Sequence, residues 1–445
     1  MISRNIEAEL LRFSKSTNNH ALLVDGARQV GKTSIIEDFG RRHYDSFVKI
    51  DFIRTPGACD IFSNVGDESD ILVRLTALCD EPLVKGKTLI FFDEIQKCPE
   101  AVTYMKYLVQ EGSYRYILSG SLLGVELKNI RSVPVGFMDE VKMFPLDFEE
   151  FVCALGYHTA LWEEARKAWN SRKPLAKVLH DKLMRIFRLY LVVGGMPEAV
   201  QTYIDTKDIR QVIAVQAKIL KEYRRDIAQY DSANALRIRE VFSRLAPELN
   251  SKNKRFHADS VNEVGRFDRL EDEFVWLKAA GVALSVCNVT DPKIPLTLAT
   301  KPNFFKLFMN DVGLLAAQYM NGIQLKLLNG ETDINFGSVF ENFVAQELVT
   351  HGFEPKYYNS SKHGEIDFVV EHDGHVVPIE VKSGKHYARH SALSRLMSDP
   401  EYDYPQAFVF NDKASKTEGR ISYLPIYLLS FLRPTPLPEK MIFDI

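Results

Sequence analysis

The 445-residue sequence is poor in features that would place it in a special class. Its five cysteines (Cys59, Cys79, Cys98, Cys153, Cys287) are scattered, in none of the spacings of a zinc site or a disulfide framework, so reduced thiols are expected. Charge of one sign is missing too. Lys and Arg total 56 against 59 Asp and Glu, a net charge of −3, which excludes a uniformly basic molecule and makes any nucleic-acid surface a local one. No apolar run is long enough to span a bilayer; the strongest, around Leu189–Val193, is far too short. The opening Met1-Ile2-Ser3-Arg4-Asn5-Ile6-Glu7 has no apolar signal core, and a cytoplasmic protein with no membrane partner is the expectation. Internal repeats and low-complexity tracts are also absent. What remains is a globular composition, 46% hydrophobic and 26% charged, in a chain long enough for about two or three domains.

The most informative stretch runs from Leu22 to Thr33. An apolar segment leads into Gly26-Ala27-Arg28-Gln29-Val30-Gly31-Lys32-Thr33, and a helix-like segment opens at Ser34. Strand, glycine loop and helix in that order are what a phosphate-binding loop requires. The glycines let backbone N–H groups turn inward around a phosphate, Lys32 reaches the β- and γ-phosphates, and Thr33 can hold Mg²⁺. Residues Gly26 to Ser34 are therefore the expected binding segment for a nucleoside triphosphate.

Further strand-like runs follow at Phe47–Phe52, Thr88–Phe92, Tyr114–Leu118 and Glu140–Phe144, separated by helical segments. Nearly continuous apolar strands alternating with helices predict a parallel sheet covered on both faces, with the glycine loop at the carboxyl end of its first strand. Leu89-Ile90-Phe91-Phe92-Asp93-Glu94 ends a buried strand in two carboxylates. Asp93 is expected in the Mg²⁺ shell, and Glu94 is placed to orient or deprotonate an attacking water, which implies hydrolysis. Ser119 and Ser121 end the next strand, where a hydroxyl could sense the γ-phosphate; Arg131 beyond them is a candidate finger charge for a neighbouring subunit.

From Asp147 to Tyr230 the pattern is helical, broken at Gly194-Gly195-Met196-Pro197. Helices and a hairpin, with strands expected at Val282–Val286 and Pro295–Leu298, suggest a winged helix. Basic residues beside it (Lys252, Lys254, Arg255, Arg266, Arg269) are candidates for DNA-backbone contact.

A second constellation lies near the C-terminal end. Asp373-Gly374 is a strong two-residue hairpin signal. With that turn, His372 pairs with His375, Asp367 falls opposite Glu380, and Glu365 falls opposite Lys382. Alternation puts these four charged residues on one face and Ile366, Phe368, Val370, Val377, Ile379 and Val381 on the other. Directly opposed carboxylates repel unless a cation bridges them, and the spacing suits Mg²⁺. A plain cross-strand ion pair between Glu365 and Lys382 is the competing reading. His363, His372 and His375 are expected as loop residues, and His386 and His390 as a helical face.

Several of these segments together resemble uncharacterised prokaryotic ATPases of the AAA superfamily that carry a C-terminal nuclease-like domain of unknown function. They are Gly26–Thr33, Phe92-Asp93-Glu94-Ile95-Gln96, Leu118–Ser121, Pro145-Leu146-Asp147-Phe148-Glu149-Glu150-Phe151, Gly194–Glu198 and Asn310-Asp311-Val312-Gly313-Leu314-Leu315. The resemblance implies ATP as the nucleotide, a helical lid, a winged-helix segment and a nuclease-like end; homo-oligomers are a family analogy. Asp367 followed by Glu380-Val381-Lys382 resembles the restriction-endonuclease-like superfamily. That likeness implies metal binding by Asp367 and Glu380, assistance from Glu341 on a preceding helix, and a water oriented by Lys382.

The expected fold class is α/β. A P-loop ATPase core over residues 1–147 is followed by a helical lid (148–232), a winged-helix-like segment (233–325) and a nuclease-like α/β domain (326–445). The expected function is ATP hydrolysis with Mg²⁺, at Lys32, Thr33, Asp93 and Glu94, controlling a DNA-acting C-terminal domain. The alternative is a regulatory switch or assembly ATPase whose C-terminal domain only binds.

Overall fold

A computed structural model describes residues 2–79, 81–121, 136–157, 160–230, 235–251, 256, 271–319, 322–331, 336–384, 390–436 and 441–442. The chain forms two compact units, one of residues 1–145 with 275–282, the other of residues 146–274 with 283–445. Among the described residues no helix is long and apolar enough to cross a membrane. None of the five cysteines, all of which are described, is in a disulfide. Arg131, His386 and the basic residues 252, 254, 255, 266 and 269 lie outside the described residues.

The first unit is built on a five-stranded sheet ordered β2-β3-β4-β1-β5. Its strands are β1 (Ala21–Asp25), β2 (Ser46–Asp51), β3 (Thr88–Asp93), β4 (Arg115–Gly120) and β5 (Met138–Lys142), and every pairing is parallel. All residues of β3 are buried, and alternation divides them between two apolar layers. Ile90 and Phe92 pack with Ile50, Leu108 and Leu118 on one face; Leu89 and Phe91 pack with Val24, Ile36 and Phe39 on the other. A strand walled on both sides must be apolar throughout, which is why its sequence shows no period. The β4 strand separates β1 from β3, so the ends of β1, β3 and β4 meet at one edge.

The second unit holds an eight-stranded mixed sheet ordered β12-β13-β11-β10-β9-β8-β6-β7. Here β6 is Ala283–Val289, β7 Thr300–Met309, β8 Lys356–Ser360, β9 Gly364–His372, β10 His375–Val381, β11 Ala407–Asn411, β12 Lys416–Glu418 and β13 Ile421–Pro425. Both faces are covered. On adjacent residues of β11, Phe408 meets Trp169 while Val409 packs with Leu393 and Leu396 of the helix Ser391–Ser398.

The hairpin between the units' segments differs from expectation. Leu296–Ala299 is a 3₁₀ turn, and the second strand starts at Thr300. Pro295 has no N–H to give a ladder, and the N–H of Leu296 goes to the Glu371 carboxylate at 2.6 Å, so this segment turns instead of pairing. The hairpin also does not stand alone: β6 pairs in parallel with β8, making β6 and β7 one end of the large sheet. Helices Phe148–Ala154 and Lys177–Val193 belong to this same unit, where Phe148, Phe187 and Tyr190 meet Phe343 edge-on. The segments expected as lid, winged helix and C-terminal domain thus lie in one unit, except residues 275–282, which belong to the first.

That body is centred on the helix Gly337–Thr350, in which even Glu341, Asn342, Gln346 and Glu347 are buried. Asn342 accepts from Met309 N–H at 2.8 Å and donates to Met309 O at 3.1 Å. Gln346 accepts from Val312 N–H at 2.9 Å and donates to the Tyr190 hydroxyl at 2.7 Å. Buried polar groups satisfied this way fix the helix in one register.

Three motif segments far apart in sequence converge here. Asp311 caps the helix Val312–Gln318 through Leu314 N–H at 2.9 Å and accepts Gly195 N–H at 2.6 Å. Burial pushes its carboxyl up to about 6, against the pull of the N–H groups of Gly195, Leu314 and Gly313. Leu146 N–H donates to Gly195 O at 2.7 Å, and a Cβ on Gly195 would sit 2.0 Å from Leu146 O. Gly194-Gly195, Asn310-Asp311 and Pro145-Leu146 therefore form a structural knot. Gly195→Ala should destabilise this unit by about 3 kcal/mol, read as a lower urea midpoint, because neither backbone segment can yield. An unchanged midpoint would show that the close approach is not maintained.

Candidate functional site

The glycine loop joins β1 to the helix Lys32–His43. A Cβ on Gly26 would lie 2.2 Å from Met143 O, and Gly31 has φ 95°, so both positions need glycine. Lys32 is buried and donates to the loop's own carbonyls, Gly26 O at 2.7 Å and Ala27 O at 2.8 Å. Burial lowers its pKa to about 8, although Glu94, Asp25 and Asp93 favour the charged form. Arg28 Nε reaches Ser121 Oγ at 3.3 Å.

Asp93 ends β3 and is almost fully buried. Thr33 Oγ1 donates to its carboxylate at 3.0 Å, and Ser119 Oγ donates to Oδ1 at 2.5 Å. Thr33 and Asp93, which lie far apart in sequence, are thus brought together, and Ser119 joins them as a partner of the carboxylate. Glu94 has φ 57°, turns out of the strand, and is held by Gln96 Nε2 at 2.5 Å.

Two residues of this site carry no signal in a motif. Buried Arg4 donates to Val30 O at 2.9 Å and to Phe144 O at 2.6 Å, tying the glycine loop to the end of β5. Lys49 of β2 pairs with Asp93 Oδ2 at 2.9 Å. Neither could be found from spacing, because each acts on partners across the sheet.

The second constellation lies in the other unit. The hairpin turn is at Asp373 (φ 50°) and Gly374 (φ 74°), and His375 pairs with His372. The register runs to Ile379 opposite Phe368, and Glu380 and Asp367 come next in that register. The ladder opens there: Val381 N–H donates to Asp367 Oδ2 at 2.9 Å, and Lys382 N–H donates to Phe410 O at 2.9 Å on β11. The expected pairing of Glu365 with Lys382 does not form. Lys382 Nζ turns back to Glu380 Oε2 at 2.6 Å, and Glu365 pairs with Lys306 Nζ at 2.6 Å.

Lys306, on β7, is wholly buried, and its Nζ also lies 3.9 Å from Glu341 Oε2. Burial opposes its charge, but Glu341, Glu365 and Asp367 outweigh that and raise its pKa. Burial, then the neighbouring Asp367, push the Glu380 carboxyl well above the ordinary range, with Lys382 pulling the other way. Asp367, Glu380, Lys382 and Glu341 thus share a neighbourhood whose central lysine had no motif to announce it. On this face Asp367 and Glu380 are buried, while Glu365 and Lys382 are partly exposed. His363, expected as a loop residue, is buried between the Tyr358 hydroxyl and Asp399, both at 2.8 Å. His390 meets the Tyr423 hydroxyl at 2.5 Å. Among the described residues, no group of three or more His, Cys, Asp or Glu side chains is arranged to hold a metal ion as it stands.

Residues 18–152 match the family described as AAA domain. They carry an AAA-superfamily ATPase domain. Residues 184–326 match a domain of unknown function (DUF8612), and residues 336–429 match another (DUF4143). No curated protein matches the chain. Among solved structures, it resembles the Aeropyrum pernix ORC1 protein in complex with DNA at 13% identity and a TM-score of 0.30, over 73% of this chain and 95% of that one. It resembles the S. cerevisiae Hsp104–ADP complex at 13% identity and a TM-score of 0.30, over 63% of this chain and 38% of that one. Likeness at this level has no bearing on function.

An AAA ATPase domain implies nucleotide binding, and a buried lysine and the glycine loop suit a phosphate chain, while the Thr33 hydroxyl donates to Asp93 and leaves its oxygen as an acceptor. To meet phosphate, Lys32 must be charged. In the free protein it loses its proton near pH 8, so nucleotide affinity should fall above that pH, by up to about tenfold per unit. Binding there should take up a proton, seen by calorimetry in buffers of different ionisation heat; equal heats would remove Lys32 from phosphate contact.

In the other unit, Glu380 binds its proton more tightly in the folded than in the unfolded chain. Stability should therefore fall as pH rises from the ordinary value of 4.5 toward the raised pKa, by at most about 1.4 kcal/mol per unit. In chelator-containing buffer, Asp367→Asn, which removes the like charge, should flatten that slope in denaturant titrations.

Proposed function

We propose that ATP hydrolysis in the AAA domain controls a DNA-acting, nuclease-like centre in the C-terminal region. In this reading Lys32 binds the phosphates, Thr33 and Asp93 hold Mg²⁺, and Glu94 orients the attacking water. Asp367 and Glu380 bind a second divalent ion, Glu341 assists, and Lys382 orients the water that attacks a phosphodiester. Residues 1–147 are the input and residues 326–445 the output, with DNA contact in the middle segment and assembly into homo-oligomers. The observation that carries the reading is the buried carboxylate pair, Asp367 with Glu380, next to Lys382. Two carboxylates placed together out of water are costly unless a cation joins them.

One observation favours a binding-only C-terminal region in a regulatory or assembly ATPase. Lys306 is an internal cation already seated among Glu341, Glu365 and Asp367. Activity separates the two readings. Full-length protein with Mg²⁺ or Mn²⁺ should cut DNA, and DNA should accelerate ATP turnover. Asp367→Ala and Glu380→Ala should each lower cleavage at least about 100-fold while turnover without DNA stays within twofold. No cleavage of DNA or RNA with either metal, with or without ATP, would leave the binding-only reading.

A further inference from the structure

Lys49 stands on β2, a strand that lends no motif residue to the nucleotide site, yet its ammonium is where three carboxylates meet. Nζ lies 2.8 Å from Glu37 Oε1, 2.9 Å from Asp93 Oδ2 and 3.8 Å from Asp51 Oδ2. These partners come from three elements: the helix that follows the glycine loop, the end of β3 and the end of β2. The pairing of Asp51 opposite Asp93 on β2 and β3 sets their separation by strand geometry. The lysine side chain is 21% exposed and that of Asp93 only 4%. Burial works against the ammonium, and hydrogen bonds to Glu37 and Asp93 outweigh it, so the charge is retained.

Carboxylate oxygens are the ligands a hard divalent cation seeks, and three of them from different elements converge on this ammonium, although as they stand they are not arranged to hold a metal. Here a covalently tethered ammonium takes that place. An ammonium is a single charge held by two close contacts and one longer one. It neutralises Asp93 without closing the shell that a metal would draw together. The Asp93 oxygens stay pointed at Thr33 and Ser119, the arrangement a phosphate-bound metal meets on entering from the loop side.

We propose that Lys49 is a built-in cation that keeps free divalent metal off Asp93, so that metal enters this site only together with nucleotide. Without the ammonium, Glu37, Asp51 and Asp93 would form a carboxylate pocket of their own and would draw metal to the strand side of Asp93, away from the phosphates. Lys49 is thus a positioning residue acting through Asp93. The inference rests on the reading that Thr33 and Asp93 hold the nucleotide's metal.

The test is Mn²⁺ binding to the full-length chain followed by electron paramagnetic resonance, with Asp367→Ala and Glu380→Ala present in every arm to silence the other carboxylate pair. Without nucleotide, the parent should bind Mn²⁺ at this site only weakly. Lys49→Met should bind one Mn²⁺ at least about tenfold more tightly than the parent. Lys49→Gln, which keeps a polar side chain, should follow Lys49→Met and covers the case in which methionine disturbs folding. Lys49→Arg keeps the charge and should behave as the parent. If the two neutral variants bind Mn²⁺ no better than the parent, or if Lys49→Arg binds as they do, the inference falls. A separate arm with saturating ADP tests the underlying reading. A parent that gains no Mn²⁺ there would defeat the metal assignment to Thr33 and Asp93, while the nucleotide-free arms still decide the role of Lys49.

Discussion

An ionised carboxylate taken out of water costs several kcal/mol unless donors replace the water it loses. Much of this molecule follows from that constraint. Asp93 sits at the end of a wholly buried strand, where Thr33, Ser119 and Lys49 converge on its carboxylate from three elements. Each donor fixes the element that carries it, so one buried charge aligns the loop helix, β4 and β2 around the phosphate site. The same constraint recurs in the second unit. Asp311 is met by backbone N–H groups, Glu347 accepts Phe148 N–H at 2.8 Å and the Ser430 hydroxyl at 3.0 Å, and Asp367 accepts Val381 N–H. Glu380 is the case in which burial, then the neighbouring Asp367, push the carboxyl toward its protonated form, with Lys382 pulling the other way.

Parts of this were legible in the sequence and parts were not, for physical reasons. A parallel sheet writes itself as short apolar runs, and a phosphate loop needs glycines at set places, so β1 to β4, Gly26–Thr33 and Asp93 could be read directly. The Asp373-Gly374 turn fixed the hairpin register for the same reason: only a turn with positive φ at both residues joins strands so tightly. The partners of lysines were illegible. Lys49 and Lys306 are ordinary members of their strands, and their carboxylates come from elements that only the folded sheets bring near. Alternation also misled at Pro295–Leu298, where a missing N–H and a side-chain acceptor outweigh a strand-like pattern. Alternation likewise put Glu365, Asp367, Glu380 and Lys382 on one face of β9 and β10, but it could not show that Asp367 and Glu380 are buried there.

The segments that carried the family resemblance divide into two kinds. Those around Gly26–Thr33 and Asp93–Gln96 build a site. Those at Leu146, Gly194–Gly195 and Asp311–Gly313 build a joint in which the Asp311 carboxylate and close backbone crossings leave no room for a Cβ on the glycines. A short pattern rich in glycine and acid can mean a ligand or a tight crossing, and only the partners tell which.

Lys32 in its resting bonds has a consequence for turnover. Its ammonium is held by Gly26 O and Ala27 O of the very loop that must receive phosphate. A departing diphosphate therefore does not strand a bare cation in a buried place, because two carbonyls compete for it from within the same loop, at an effective concentration no solute can match. The loop is its own displacing ligand. On the proposed reading, in which Lys32 meets the phosphates, release would be assisted from inside the protein and each new nucleotide would have to win the lysine back.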